Sequence, residues 1–197
     1  MPINQTDLPQ NGDEIAIIHT NLGDLKVRLF RSLVDECVEN FVKLAPEYAN
    51  KKFYRLVPHY AIMGGDVDND DGTGGHTYNR RVISDSFHDE LTNIKGAVGW
   101  VKSTKNKVMQ RGIDSRFYIV LSDDCSFLNH RKNDTPDNGY TVFGQVFDSD
   151  DVLENIAKTE VSLNKLKEGK RRLASDFDIP LNPIIISQVE ITSYQNS

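Results

Sequence analysis

Cysteine is scarce in this chain. Cys37 and Cys125 lie far apart and form no CxxC pair, which leaves no disulfide framework and no cysteine-based zinc site. Five histidines, at 19, 59, 76, 88 and 130, fall in no HExxH or other metal-ligand spacing, so surface or turn roles are the default reading and no metal is expected. Basic residues are outnumbered. With 23 Lys and Arg against 29 Asp and Glu, the formal net charge is -6, and nucleic acid is not the expected partner. No apolar run approaches membrane-spanning length, and residues 1–12 are polar with no apolar signal core. These absences point to a soluble, cytoplasmic protein that does not engage a membrane. What is present, 197 residues of which 38% are hydrophobic, suits one domain with a full core and is too apolar for disorder throughout.

Residues 1–13 read as a flexible polar arm, with Pro2, Pro9 and Gly12, ahead of a single domain over 14–197. Ile15-Ala16-Ile17-Ile18-His19 is a candidate strand. Leu25-Lys26-Val27-Arg28-Leu29-Phe30 alternates apolar and basic residues, as a half-buried strand does. Asn21-Leu22-Gly23-Asp24 supplies turn residues between them, so the two form a hairpin. Val34, Val38, Phe41, Val42 and Ala45 make one apolar stripe at helical spacing, and Pro46 ends that helix or starts a turn. A second helix is expected from about Asp151 to Ala157, capped by Ser149 or Asp150. Short strand candidates fill 53–57, 60–63, 96–101, 116–121 and 140–146, and 184–191 is the last. Many short strands with only two helices indicate a barrel or a sandwich. The polar stretch 160–183 reads as a surface insertion, with a helical turn around Leu163 to Leu166.

The most informative segment runs Phe53-Tyr54-Arg55-Leu56-Val57-Pro58-His59-Tyr60-Ala61-Ile62-Met63-Gly64-Gly65-Asp66. It sets one arginine between two short apolar runs and closes on a double glycine. Further on come Gly72-Thr73-Gly74-Gly75, Phe87-His88-Asp89-Glu90, Ser115-Arg116-Phe117-Tyr118-Ile119, Phe127-Leu128 and Tyr140-Thr141-Val142-Phe143-Gly144-Gln145-Val146, with Val38-Glu39-Asn40-Phe41 on the first helix. In this order and with these gaps, from about Glu14 to Ile191, the pieces resemble the cyclophilin family of peptidyl-prolyl cis-trans isomerases, in a bacterial-type variant. The resemblance implies a mainly β fold: a closed eight-stranded antiparallel barrel with a helix over each open end. It also implies an isomerase of Xaa-Pro bonds in peptides and folding proteins that needs no cofactor and works as a monomer.

By the same resemblance, Arg55 is the catalytic arginine. Tyr60, Ala61, Tyr118 and Leu128 line the proline pocket, and Val101 and Lys102 meet substrate through main-chain groups. Phe127 stands where many members carry tryptophan, Tyr140 where many carry histidine, and Ser103 where a small residue gates a second pocket. Several positions depart from the family. Met63 and Arg116 replace glutamines that orient the arginine and meet the substrate backbone. Met63 has no useful donor, and Arg116 brings a second positive charge towards Arg55. Ala61 replaces a bulkier residue and is expected to widen the pocket. The basic loop 104–112 replaces a glycine-rich one. Weaker activity, or a preference for acidic residues beside proline, is therefore expected, with weakened binding of the cyclosporin that some members hold in this groove. The alternative is a module that binds proline segments without turnover.

Other features read more plainly. Asp66-Val67-Asp68-Asn69-Asp70-Asp71-Gly72 lacks the glycine and glutamate of a calcium loop and reads as a solvated acidic turn. Gly72, Gly74 and Gly75 form no phosphate-binding fingerprint and serve tight turns. The basic run at Lys165, Lys167, Lys170, Arg171 and Arg172 reads as a solvated loop. Cys37 is expected to be buried and Cys125 exposed.

Overall fold

Alternation of apolar and polar residues makes a hairpin of the first two strands. β1 (Glu14–Thr20) and β2 (Gly23–Leu29) pair antiparallel from Ile15↔Arg28 to Thr20↔Gly23, so Asn21 and Leu22 alone form the turn. The computed structural model of the protein describes residues 3–103, 112–131, 138–162 and 178–196. Within these, β3 (Lys51–Lys52), β4 (Arg55–Val57), β5 (Ala61–Gly64), β6 (Ile83–Ser84), β7 (Ala97–Lys102), β8 (Gly112–Val120), β9 (Val142–Phe147) and β10 (Ile185–Ser193) complete the strands. One antiparallel sheet runs β3-β10-β1-β2-β9-β7-β8-β5-β4, with β6 beside β8. Its two ends, β3 and β4, are successive pieces of one extended segment with only Phe53 and Tyr54 between them. Phe53 N–H still donates to Ile184 O at 2.9 Å. The sheet therefore curls, with its two ends carried by a single run of chain, but no ladder between β3 and β4 closes it as the expected barrel would be closed. The class is the expected one, mainly β with two helices, but ten strands are described where eight were expected.

α1 (Asp35–Leu44) buries Cys37, Val38, Asn40, Phe41 and Leu44. Its stripe is rotated slightly from the expected one, since Val42 is only partly buried. Phe41 is the keystone, with ring centroids 5.4 Å from Tyr48, 5.6 Å from Phe117 and 5.1 Å from Phe143. Trp100 is fully buried beside it and stacks on Phe143 at 4.5 Å. Pro46 ends α1 as expected, in a 3-10 turn over Ala45–Tyr48. α2 (Asp150–Ala157) lies against β2, with Val152, Leu153 and Ile156 inward. Ser149 precedes α2, but its side chain does not cap it, because Lys26 N–H donates to Ser149 Oγ at 3.1 Å.

The described part of the arm makes contacts with the domain through Asn4, Gln5 and Asp7. Gln5 is buried, donates to Thr92 O and Gln145 Oε1, and accepts from Thr92 N–H. Arg28 donates to the carbonyls of Asn4 and Asp7. Cys37 and Cys125 are both fully buried. Burial, helped by nearby acids, pushes the Cys37 thiol up to about 12 and raises that of Cys125, which disfavours the reactive thiolate in both, and the expected exposure of Cys125 is corrected. No helix among the described residues is long and apolar enough to cross a membrane. The expected turn at Leu163 to Leu166, the basic run at 165–172 and most of the loop at 104–112 lie outside the described residues.

His19 clasps three strands. Its Nδ1 is 2.8 Å from Asp24 Oδ1 on β2 and its Nε2 is 3.4 Å from Glu190 Oε2 on β10. Burial opposes its charge, but the hydrogen bonds and attraction of the two carboxylates outweigh it, so its pKa is raised. A raised pKa gives stability that is full below the unfolded value, about 6.5, and is lost as pH rises through the folded one. The stability lost in His19→Gln, followed by urea denaturation, is therefore expected to be largest in mildly acidic buffer and to shrink as pH rises past neutrality. A constant difference would show that the clasp does not depend on protonation.

Candidate active site

The site is built by strand register. Arg55 on β4 lies directly opposite Met63 on β5, Met63 opposite Tyr118 on β8, and Tyr118 opposite Gly99 on β7. Directly paired residues share one face of a sheet. The next residues along, Leu56 and Ile62, are fully buried and face the core. Arg55, Met63 and Tyr118 thus form a row on the outer face. Gly99 ends the row because a Cβ there would collide with the Tyr118 hydroxyl. Tyr118 Oη donates to Asn93 Oδ1 at 2.6 Å, which fixes the ring. Its edge meets Tyr140 at 5.9 Å.

Beside the row, Tyr60 stacks on Phe127 at 5.5 Å, with planes 20° apart. Phe127 is 61% exposed, the most open of the large apolar side chains among the described residues. Burial raises the Tyr60 hydroxyl pKa, assisted by Tyr140 and opposed by the charge of Arg55. Leu128 and Ala61 are both buried. Val101 and Lys102 end β7. Lys102 Nζ is 3.4 Å from the buried Asp85 carboxylate and sits over the rings of Phe87 and Tyr140 at 5.9 and 5.6 Å. A cleft of about 420 Å³ is lined by Lys102, Phe127, Asn129, Arg131, Asn138, Gly139 and Tyr140. Ser103 lies elsewhere, with His76, Arg80, Arg81 and Ile113 in a second cleft of about 360 Å³. The strand register and these ring contacts bring together Arg55, Met63, Tyr118, Tyr60, Phe127, Tyr140 and Lys102.

Arg116 does not act as a bare second charge next to Arg55. It is 6% exposed and engaged in a fork with Asp114: Nε to Oδ1 at 3.0 Å and Nη2 to Oδ2 at 2.7 Å, while Nη1 donates to Gly72 O at 2.6 Å. Burial works against the charge, but Asp114 more than compensates and raises its pKa. Space for the pair comes from the ladder, which jumps from Trp100↔Phe117 to Lys102↔Ile113 and leaves two extra residues on β8. The premise of an acidic preference carried by Arg116 therefore fails.

Most of the acidic turn is solvated as expected, with Asp68, Asn69 and Asp71 exposed, but its first residue is not. Asp66 is fully buried and accepts from the backbone N–H groups of Asp68, Asn69, Asp71, Gly72 and Gly74. Burial would raise its pKa, but these donors lower it below the ordinary carboxylate value. The loop so shaped delivers the Gly72 carbonyl to Arg116. Gly72 has φ +90 and a Cβ there would lie 2.6 Å from the Tyr54 ring, so this position requires glycine.

Arg55 itself is half-buried. Its Nη2 lies 3.4 Å from Asp178 Oδ2, and its Nε is buried without a hydrogen-bond partner. Sequence reading missed Asp66, Asp114, Asn93 and Asp178. Asp114 was accessible in principle, since it stands two residues before Arg116 on the same strand face. Asp178 had no local signal, being 123 residues from Arg55.

Comparison with known proteins agrees with this geometry. The family model described as cyclophilin type peptidyl-prolyl cis-trans isomerase/CLD matches residues 15–189. A protein of Staphylococcus saprophyticus, provisionally named a peptidyl-prolyl cis-trans isomerase, is 30% identical over 94% of this chain and 98% of its own length. One from Staphylococcus aureus strain USA300, with the same provisional name, is 28% identical over 92% of this chain and 93% of its own. Among solved structures, a cyclophilin type peptidyl-prolyl cis-trans isomerase of Cryptosporidium parvum superposes with a TM-score of 0.71 at 24% identity, covering 93% of this chain and 99% of that one. A structure of the same protein in the presence of the dipeptide Ala-Pro gives a TM-score of 0.70.

Breaking a buried ion pair from one side costs about 3–5 kcal/mol, because the other charge is left without a partner. Arg116→Gln is expected to destabilise the protein by about that much in urea denaturation, and the double variant Asp114→Asn/Arg116→Gln by clearly less than the sum of the two single changes. Additive losses would show that the two side chains do not act as a pair.

Proposed function

Since this chain belongs to the cyclophilin-type peptidyl-prolyl cis-trans isomerase family, we propose that it accelerates rotation about Xaa-Pro bonds in peptides and folding proteins, with Arg55 as the catalytic donor. The observation that supports this reading is the outer-face row, which sets a half-buried guanidinium beside Met63 and Tyr118, next to the Tyr60–Phe127 stack.

The mechanism follows from the amide. Rotation is slow because nitrogen shares its lone pair with the carbonyl, giving a barrier of about 18–20 kcal/mol. Xaa-Pro bonds populate both isomers but exchange over tens to hundreds of seconds. In the twisted state the proline nitrogen is pyramidal and its lone pair is localised. A guanidinium N–H aimed at that nitrogen binds the twisted form better than either planar form. Each ~1.36 kcal/mol of preference gives about a tenfold rate gain. Arginine suits the task because it stays charged and holds its donors in a rigid fork. The apolar walls of Tyr60, Phe127 and Leu128 receive the proline ring, and Tyr118 and Tyr140 close the adjoining side. The step calls on no nucleophile and no cofactor. Prolines that limit folding are the substrates for which such acceleration matters most.

Exchange NMR on a short Xaa-Pro peptide tests this. Arg55→Ala is expected to lower the isomerisation rate on the order of a hundredfold, as removal of one preorganised donor does elsewhere, while the peptide still binds. Binding by the unaltered protein with no acceleration of exchange would make it a proline-binding module instead.

A further inference from the structure

Arg55 needs something to hold it, and the residue opposite it does not. Met63 faces Arg55 directly across the β4–β5 ladder, and a thioether is at best a weak acceptor. The consequence is visible in the buried Arg55 Nε, which has no hydrogen-bond partner. Arg116, the other residue that departs from the family pattern here, is consumed by Asp114 and the Gly72 carbonyl. The carboxylate that does reach Arg55 comes from far along the chain, in the segment ahead of β10. Asp178 Oδ2 lies 3.4 Å from Arg55 Nη2, with the Asp178 side chain 22% exposed.

We propose that Asp178 is the positioning residue for Arg55, supplying the orientation that Met63 does not. The backbone is fixed for this purpose. Leu56, the neighbour of Arg55, donates its N–H to Asp178 O at 2.6 Å, so Asp178 is docked along the open edge of β4. Its φ is +60, a left-handed conformation that a non-glycine side chain adopts at a cost and that aspartate tolerates better than most. The grip is single-pronged. One long contact on Nη2 leaves the other donors of the fork uncommitted, which suits a group that must engage a substrate nitrogen. A two-pronged pair of the kind that Arg116 makes with Asp114 would instead lock it. A half-exposed ion pair adds little to stability, so its worth lies in direction.

This inference rests on the isomerase reading, and its test separates the two. Asp178→Gly keeps the left-handed backbone without strain and removes the carboxylate. In the full-length chain it is expected to lower kcat for a proline peptide about tenfold, equivalent to ~1.4 kcal/mol, with KM and melting temperature nearly unchanged. Adding Met63→Gln to Asp178→Gly, which supplies an acceptor across the ladder, is expected to restore most of kcat. Unchanged or increased kcat in Asp178→Gly would overturn the proposal, the increase by showing that the carboxylate sequesters Arg55. A loss that Met63→Gln does not rescue would overturn it as well. If the unaltered protein turns over no peptide, the isomerase reading fails, and positioning is then decided in the peptide-free protein by nitrogen relaxation of the Arg55 Nε–H. Greater mobility in Asp178→Gly supports it and unchanged mobility refutes it.

Discussion

Antiparallel pairing decides which side chains keep company. A slip of one residue along β4 would send Arg55 into the core and bring Leu56 to the surface. What prevents it is apolar burial on the far side of the same strands, where Leu56, Ile62, Phe117 and Ile119 have no exposure. The hydrophobic core thus acts at a distance on the site, fixing the register that lines up Arg55, Met63 and Tyr118. The curl of the sheet adds a second constraint. Because β3 and β4 are pieces of one segment, the strand that carries Arg55 is held at its start by β10 and at its end by β5.

The acidic excess of the chain takes on meaning in this setting. Several carboxylates work inside the structure. Asp66 gathers backbone donors and shapes a loop, Asp114 neutralises Arg116, Asp85 meets Lys102, and Asp178 reaches Arg55. The cations placed around the site by β4, β7 and β8 are each matched by an acid, Arg116 by one on its own strand and Arg55 and Lys102 by acids from other segments. Two of the matches, Asp66 with its loop and Asp114 with Arg116, are linked through the Gly72 carbonyl. The floor of the site is in this way one hydrogen-bonded unit, and networks of that kind are more rigid than their separate bonds.

Much of this was legible in the sequence. The β1–β2 hairpin, the apolar stripe of α1 and the stop at Pro46 follow from local periodicity and from the chemistry of proline, and the structure shows them within a residue or two. The class and the position of Arg55 came from the ordered set of motifs. What was not legible depended on how the chain folds back on itself, over a few residues at Asp66 and Arg116 and over long separations at Ser149 and Arg55. In the turn at 66–72 only Asp66 departs from the solvated expectation, because five acceptor contacts on one carboxylate cannot be seen in a run of aspartates. The capping role expected of Ser149 was lost to a hydrogen bond from Lys26 on another element. The charge clash expected at Arg116 dissolved because a two-residue irregularity in β8 lets Asp114 fold back on it. In each case the residue type was plain and the hydrogen-bond partner decided its behaviour.

The chain has a single tryptophan, Trp100, sealed between Phe41 and Phe143 inside the sheet. Where many cyclophilins place an indole at the rim of the groove, this one has Phe127, which emits almost nothing when excited at tryptophan wavelengths. The intrinsic light of the protein therefore comes from its deepest interior. An emitter in the deep core is a reporter of unfolding, and a ligand at the outer face would have to carry its own label to be seen.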